Sequence, residues 1–159
     1  MSALVVVGGF GVPTVLAAPD QATITANCRA AQSVMGQVEK TDAVLRINRG
    51  RAYNDLLDLL FAMNARLASN KIAAPKLSEI TADFEQKLAT FRADYDKYDD
   101  SLTNAGQMNC AGRPAAFYES LTAAREKRAV LAADVANLKQ LAGDYQTEFD
   151  RIMKGQNGR

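Results

Sequence analysis

The chain has 159 residues, 48% of them apolar and 7% aromatic, with 19 Lys and Arg set against 18 Asp and Glu. That length and apolar content fit one ordered domain, and a net charge of +1 gives no electrostatic footing for binding nucleic acid or an anionic membrane. Histidine is absent, which removes the commonest acid–base group at neutral pH and a usual zinc ligand. Tryptophan is absent as well, and the frequent alanines suit narrow helix–helix packing better than a thick core.

Ser2 to Ala18 carries no charge, and Leu4–Phe10 followed by Val12–Leu16 forms an interrupted apolar run. Val15-Leu16-Ala17 with the following Ala18 has the small-residue pattern of a signal-peptidase site, so residues 1–18 read as a cleaved export signal. The usual Lys or Arg ahead of the run is missing. As a helix the run reaches only about 24 Å, short of a hydrocarbon core of about 30 Å, which argues against a permanent span. The residues before Cys28, Ile24-Thr25-Ala26-Asn27, are not a lipobox. Residues 19–159 are then a single helical domain.

The first long helix is expected over about 26–70, with Val34, Val38, Leu45, Ala52, Leu56, Leu60, Met63 and Leu67 on one broad stripe. The consecutive steps of four at 52, 56 and 60 make a stutter that relaxes a supercoil locally. Gly36 and Gly50 are places where this helix bends or breaks, each costing roughly 1 kcal/mol relative to Ala. A second helix is expected over about 76–103, on Leu77, Thr81, Phe84, Leu88, Phe91, Tyr95, Tyr98 and Leu102, with Pro75 ahead of it and Asn104 and Gly106 marking its exit. A third, over about 114–154, carries the most regular pattern. Phe117, Leu121, Ala124, Arg128, Leu131, Val135, Leu138, Ala142, Tyr145, Phe149 and Ile152 alternate steps of four and three. Pro114 opens it, and Gly155 and Gly158 follow its last seam residue. No segment alternates with period two, so the fold class is all-α: an antiparallel bundle of three long helices with coiled-coil-like seams. The up-down-up order sets the third helix beside the first.

Cys28 and Cys110 are expected to form a disulfide. From Asn70 back to Cys28 a helix covers about 63 Å. From Lys76 to Thr103 it covers about 40 Å, and the chain on to Cys110 adds up to about 23 Å, so both cysteines reach one level of the bundle. Such a bond persists in an exported protein.

Arg46, Arg49 and Arg51 form a basic cluster, and Asp94, Asp96, Asp99 and Asp100 an acidic one. The arginines read either as a site for an anionic ligand or partner, or as ion pairs to the acidic run, which a hairpin turn near residue 73 brings opposite them. Ion pairing is the more economical reading, since such exposed pairs are common and weak. The acidic run lacks the glycine-containing loop of a calcium site, and on a helix its carboxylates fan apart. Arg128 forms a polar interruption of the third seam. Either it pairs with Asp42 or an acid of the second helix, or it lays its stem on the seam with its head in water, the reading slightly favoured. The aromatic residues coincide mostly with the seams.

No phosphate loop, nucleophile elbow or metal-ligand constellation is present in the sequence. No catalytic residue, cofactor or metal is therefore expected, and no nucleic acid. The expected function is that of an exported, non-enzymatic interaction or structural protein of the cell envelope or extracellular space, with a protein partner and scope for self-association. A helical chaperone of periplasmic type, holding unfolded clients, is the alternative.

Overall fold

The computed structural model describes residues 19–157, so the segment read as an export signal lies outside the described residues. A short helix α1 (Gln21–Ala26) leads into three long ones: α2 (Cys28–Ser69), α3 (Pro75–Gln107) and α4 (Pro114–Asn157). No strand occurs among the described residues. The bundle expected from the periodicity is the fold, with the three long helices packed in antiparallel succession.

Asp20 caps α1, its carboxylate accepting the Thr23 backbone N–H at 2.7 Å. Asn27 then interrupts the helix before Cys28, so the start expected near 26 falls at this junction. α2 runs unbroken through Gly36 and Gly50. It ends in a Schellman arrangement: the Lys71 N–H reaches the Ala68 carbonyl, and the Ile72 N–H reaches Leu67. Lys71 takes the left-handed conformation (φ 61°) that this turn demands. Pro75 supplies the first turn of α3. α3 does not stop at Thr103, as Asn104 and Gly106 imply, but continues to Gln107 because Ala105 is completely buried. Core packing outweighs a single helical glycine, which costs about 1 kcal/mol.

α3 is the central element. Leu77, Phe84, Leu88, Phe91, Tyr95, Tyr98 and Leu102 are all buried, since both faces of this seam meet a neighbour. α4 packs along α3, whereas the backbones of α2 and α4 stay apart. The α4 seam divides accordingly. Phe117, Ala124, Leu131, Leu138 and Tyr145 are buried, while Leu121, Val135, Ala142 and Phe149 are only half-buried and Arg128 is exposed. One heptad position thus faces α3 and the other faces a furrow towards α2.

Cys28 and Cys110 are disulfide-bonded, with Cα atoms 5.7 Å apart. The bond ties the start of α2 to the connection between α3 and α4. Gln32 adds a second tie there, its amide donating to the Met108 carbonyl at 2.9 Å. No helix among the described residues is long and apolar enough to cross a membrane.

Candidate functional site

α2 has the least regular core face, and its irregularity positions the site. Its buried residues Cys28, Met35 and Asp42 stand seven apart, as do Leu60 and Leu67, with half-buried Tyr53 seven before Leu60. Continuing the first register by seven reaches Arg49, a long cation that stays exposed. The register instead resumes at Tyr53, eleven residues after Asp42, which is a heptad plus a stutter of four. Tyr53 packs edge-on against Phe84 and Phe91, with ring centroids 6.4 and 5.8 Å away. Between Asp42 and Tyr53, α2 therefore buries no side chain fully, and a cavity remains.

Two polar layers bridge the long helices at either side of this level. In one, the Asp42 carboxylate of α2 accepts the Tyr98 hydroxyl of α3 at 2.6 Å and the Arg128 guanidinium of α4 at 3.1 Å. In the other, the Tyr145 hydroxyl of α4 donates to the Asn64 side-chain carbonyl of α2 at 2.8 Å, and the Asn64 amide donates to Thr81 of α3 at 2.9 Å. Long side chains thus span the gap between α2 and α4 that the backbones leave. Arg128 combines both readings of its seam position. Its side chain is 56% exposed, yet its end is bonded to Asp42, whose side chain is only 10% exposed. The exposed guanidinium keeps much of its hydration, so the Coulombic part of this pair is modest.

Burial and the bond to Asp42 push the Tyr98 hydroxyl far above the ordinary tyrosine range. Burial, with the negative charge of Asp99 next, raises Tyr95 too, and burial alone raises Tyr145. Tyr95 differs from the other two in that its buried hydroxyl has no hydrogen-bond partner among the described residues. On another flank, Asp134 of α4 is buried with one carboxylate oxygen unpartnered, and burial followed by repulsion from Asp94 raises its pKa.

Of the two charge clusters, the fold brings only part together. Arg46 lies 3.6 Å from Asp96 and stacks over the Tyr95 ring, its guanidinium carbon 5.0 Å from the centroid. Asp94 pairs with Lys97 on its own helix at 2.7 Å. Arg49, Arg51, Asp99 and Asp100 make no ion pair among the described residues. The four carboxylates do not converge, and no group of three His, Cys, Asp or Glu residues among those described is placed to hold a metal ion. With one exposed pair in place, replacing Arg46, Arg49 and Arg51 together by Gln should lower stability by less than about 1 kcal/mol. Urea denaturation of the triple variant measures this; a larger loss would mean that Arg49 or Arg51 pairs in solution.

The cavity is a half-open furrow at the level of Asp42 to Arg49, with a volume of about 170 Å³. Phe91, Tyr95 and Tyr98 of α3 form its floor, Leu45 of α2 and Leu131 and Val135 of α4 its apolar walls. Arg46, Arg49 and Arg128 stand around it, all exposed. The same furrow continues between Val34 and Val38 of α2 and Leu121 and Arg125 of α4. The sequence carried a faint signal for this level, since Asp42 and Arg49 fall at heptad distance from Cys28 and Met35.

Six of the seven exposed large apolar side chains among the described residues belong to α2: Val34, Val44, Leu45, Ile47, Leu59 and Phe61. At 100° per residue, Val34 and Leu45 lie on the flank that lines the furrow, Leu59 continues that flank, Phe61 lies on the opposite flank, and Val44 and Ile47 point away from the bundle. Compared with protein-family models, curated proteins and solved structures, the chain has no match.

Proposed function

We propose that this is an exported, non-enzymatic interaction protein of the cell envelope or extracellular space, and that the outer surface of α2 receives a protein partner. The observation that carries this reading is the distribution of exposed apolar groups. Among the described residues, α3 leaves no large apolar side chain exposed and α4 only Val130, but α2 presents Val44, Ile47 and Phe61 to solvent at 58, 56 and 47% exposure. A surface helix that is apolar beyond its inward stripe gains by burying the rest against another molecule. Export is supported by the apolar segment at residues 1–18 and by the Cys28–Cys110 bond, a linkage that persists in oxidising compartments.

Photo-crosslinking in the native envelope tests the reading. A reactive side chain placed at Ile47 or Phe61 should give one discrete crosslinked species, and the same group at exposed Glu126 of α4 should give none. Equal labelling from all three positions would count against a partner on α2. The chaperone alternative predicts a different result: suppression of the aggregation of reduced insulin at stoichiometric ratios, lost when Val44, Ile47 and Phe61 are all changed to Gln.

A further inference from the structure

We propose that the outer face of α2 pairs with the same face of a second copy of this chain, the two helices antiparallel, with Ile47 opposite Ala62 and Arg51 opposite Asp58. This rests on the reading that α2 receives a protein partner, and it identifies that partner as the chain itself.

The outer face of α2 carries a stripe of its own. At 100° per residue, Val44, Ile47, Arg51, Asp58, Ala62 and Ala65 all fall within about 50° of the line opposite the buried residues of this helix. Each is exposed, and they follow one another at intervals of three, four or seven, the spacing of a coiled-coil seam. α2 therefore bears two seams, and the bundle covers only the inner one.

The order of residues along the stripe selects the occupant. From one end it reads large apolar, large apolar, cation; from the other, small apolar, small apolar, anion. Such a stripe complements itself when reversed. With Ile47 set opposite Ala62, the equal rise of two antiparallel helices brings Val44 opposite Ala65 and Arg51 opposite Asp58. Every pairing then occurs twice about a two-fold axis, so association closes at a dimer. Large side chains meet alanines, which lets the helices interdigitate. Arg51 and Asp58 make no ion pair among the described residues, and in the dimer each gains one. The two copies of Asp55 lie beside the axis, with an Arg51 one turn away on either side. Phe61, on the flank nearer Ile47, reaches the second copy at the level of Gly50, where a side chain would meet nothing within 4 Å.

Other registers are opposed by charge. A parallel pair sets Arg51 against Arg51 and Asp58 against Asp58. An antiparallel pair with Val44 opposite Ile47 sets Lys40 against Arg51. Like charges face to face penalise both arrangements.

Sedimentation equilibrium of the disulfide-bonded protein tests this. Between about 5 and about 500 µM it should show a monomer–dimer equilibrium, because a single helix pair lies at the weak end of specific association. Arg51→Asp and Asp58→Arg should each weaken the dimer by about tenfold or more, since each sets like charges face to face twice. Both changes in one chain restore opposite charges, so the double variant should dimerise within about threefold of the wild type. Lys139→Asp, the same change of charge at an exposed position of α4, should alter the dissociation constant by no more than about twofold. All these positions are exposed, so the helix content read by circular dichroism should hold in every variant. A photo-reactive group at Ile47 of the purified protein should label the second copy within residues 58–66, and in the native envelope the crosslinked species should have the mass of two chains. A double variant as weak as the single ones would overturn the pairing. A monomer at every concentration, with a crosslinked species of another mass in the envelope, would overturn the dimer and leave α2 as the surface for a different protein. A monomer with no crosslinked species in the envelope would remove both readings.

Discussion

Breaking the Cys28–Cys110 bond should cost the folded chain about 4 kcal/mol and lower its melting temperature by more than about 10 °C. The bond links residues 82 apart, and in the chain-entropy model a closed loop of that length constrains the unfolded state by about this amount. The native side of the balance adds to the effect. Cys28 and Cys110 are buried at 7 and 1% exposure, packed in the same core cluster as Leu102 and Phe117. A Cys→Ser pair at these positions would place two hydroxyls there with no designed partner, so Cys→Ala at both positions is the cleaner comparison. Gln32 to Met108 then remains as a tie between the start of α2 and the α3–α4 connection, and one such hydrogen bond is worth only about 1 kcal/mol. Thermal unfolding of the oxidised protein, the reduced protein and the double Ala variant measures the difference. Equal melting temperatures for the three would show that the cysteines do not form the bond in solution.

The parts of this fold that the sequence announces are those where one side chain type serves one position throughout. α3 is flanked on both sides, so Leu77 to Leu102 are apolar or aromatic at nearly every seam step, with Thr81 the polar exception, and the pattern is legible without a structure. The α4 seam is as legible in sequence, but its periodicity does not reveal that Leu121, Val135 and Phe149 look into a half-open furrow while Leu131 and Leu138 meet α3. On α2 the reading by apolar count shifts the face. Val34, Leu45 and Ala52 belong to the expected stripe but are exposed, whereas Met35 and Asp42 point inward. A buried carboxylate is invisible to a count of apolar residues, and only its partners on other helices account for its position.

The end of α3 and the start of α2 show the same limit at the local level. Asn104 and Gly106 weaken a helix, but Ala105 between them is fully buried, so tertiary packing carries the helix on to Gln107. The separate α1 is marked by an N-cap, Asp20 bonded to the Thr23 N–H, a signal of a few residues with no apolar period behind it. The cysteine pairing, by contrast, follows from chain length alone, because helices have a fixed rise and both paths from the α2–α3 turn arrive at one level. The charge clusters were matched in level but not in detail: the pair is Arg46 with Asp96, and Arg49 is left facing the cavity that the stutter opens.

Replacing Asp42 by Ala should destabilise the bundle by about 2–3 kcal/mol, the largest effect expected for any single charged residue here. The loss arises mainly from Tyr98, which is 2% exposed and would keep a buried hydroxyl with no acceptor. Arg128 contributes less, because more than half of its side chain already lies in water. Tyr98→Phe alone should cost only about 1 kcal/mol, since the Asp42 carboxylate keeps Arg128. In the double variant Asp42→Ala, Tyr98→Phe no orphaned hydroxyl remains, so its loss should fall short of the sum of the two singles by about 1 kcal/mol. Additive losses in urea titrations of the four proteins would mean that the two side chains do not act as one unit. Alkaline pH gives an independent check of sign. The folded state raises the tyrosine pKa at Tyr98, Tyr95 and Tyr145. In the unfolded chain these hydroxyls ionise near pH 10, and there the unfolded state begins to hold fewer protons than the folded one. The stability these groups contribute is therefore complete below about pH 10 and is lost as pH rises towards the folded values. Urea midpoints should fall between about pH 8 and about pH 11, and less steeply for Tyr98→Phe, which removes one of the three raised groups. A wild-type midpoint that holds steady across that interval would show that these hydroxyls ionise as easily folded as unfolded, and that Asp42 does not hold the Tyr98 proton.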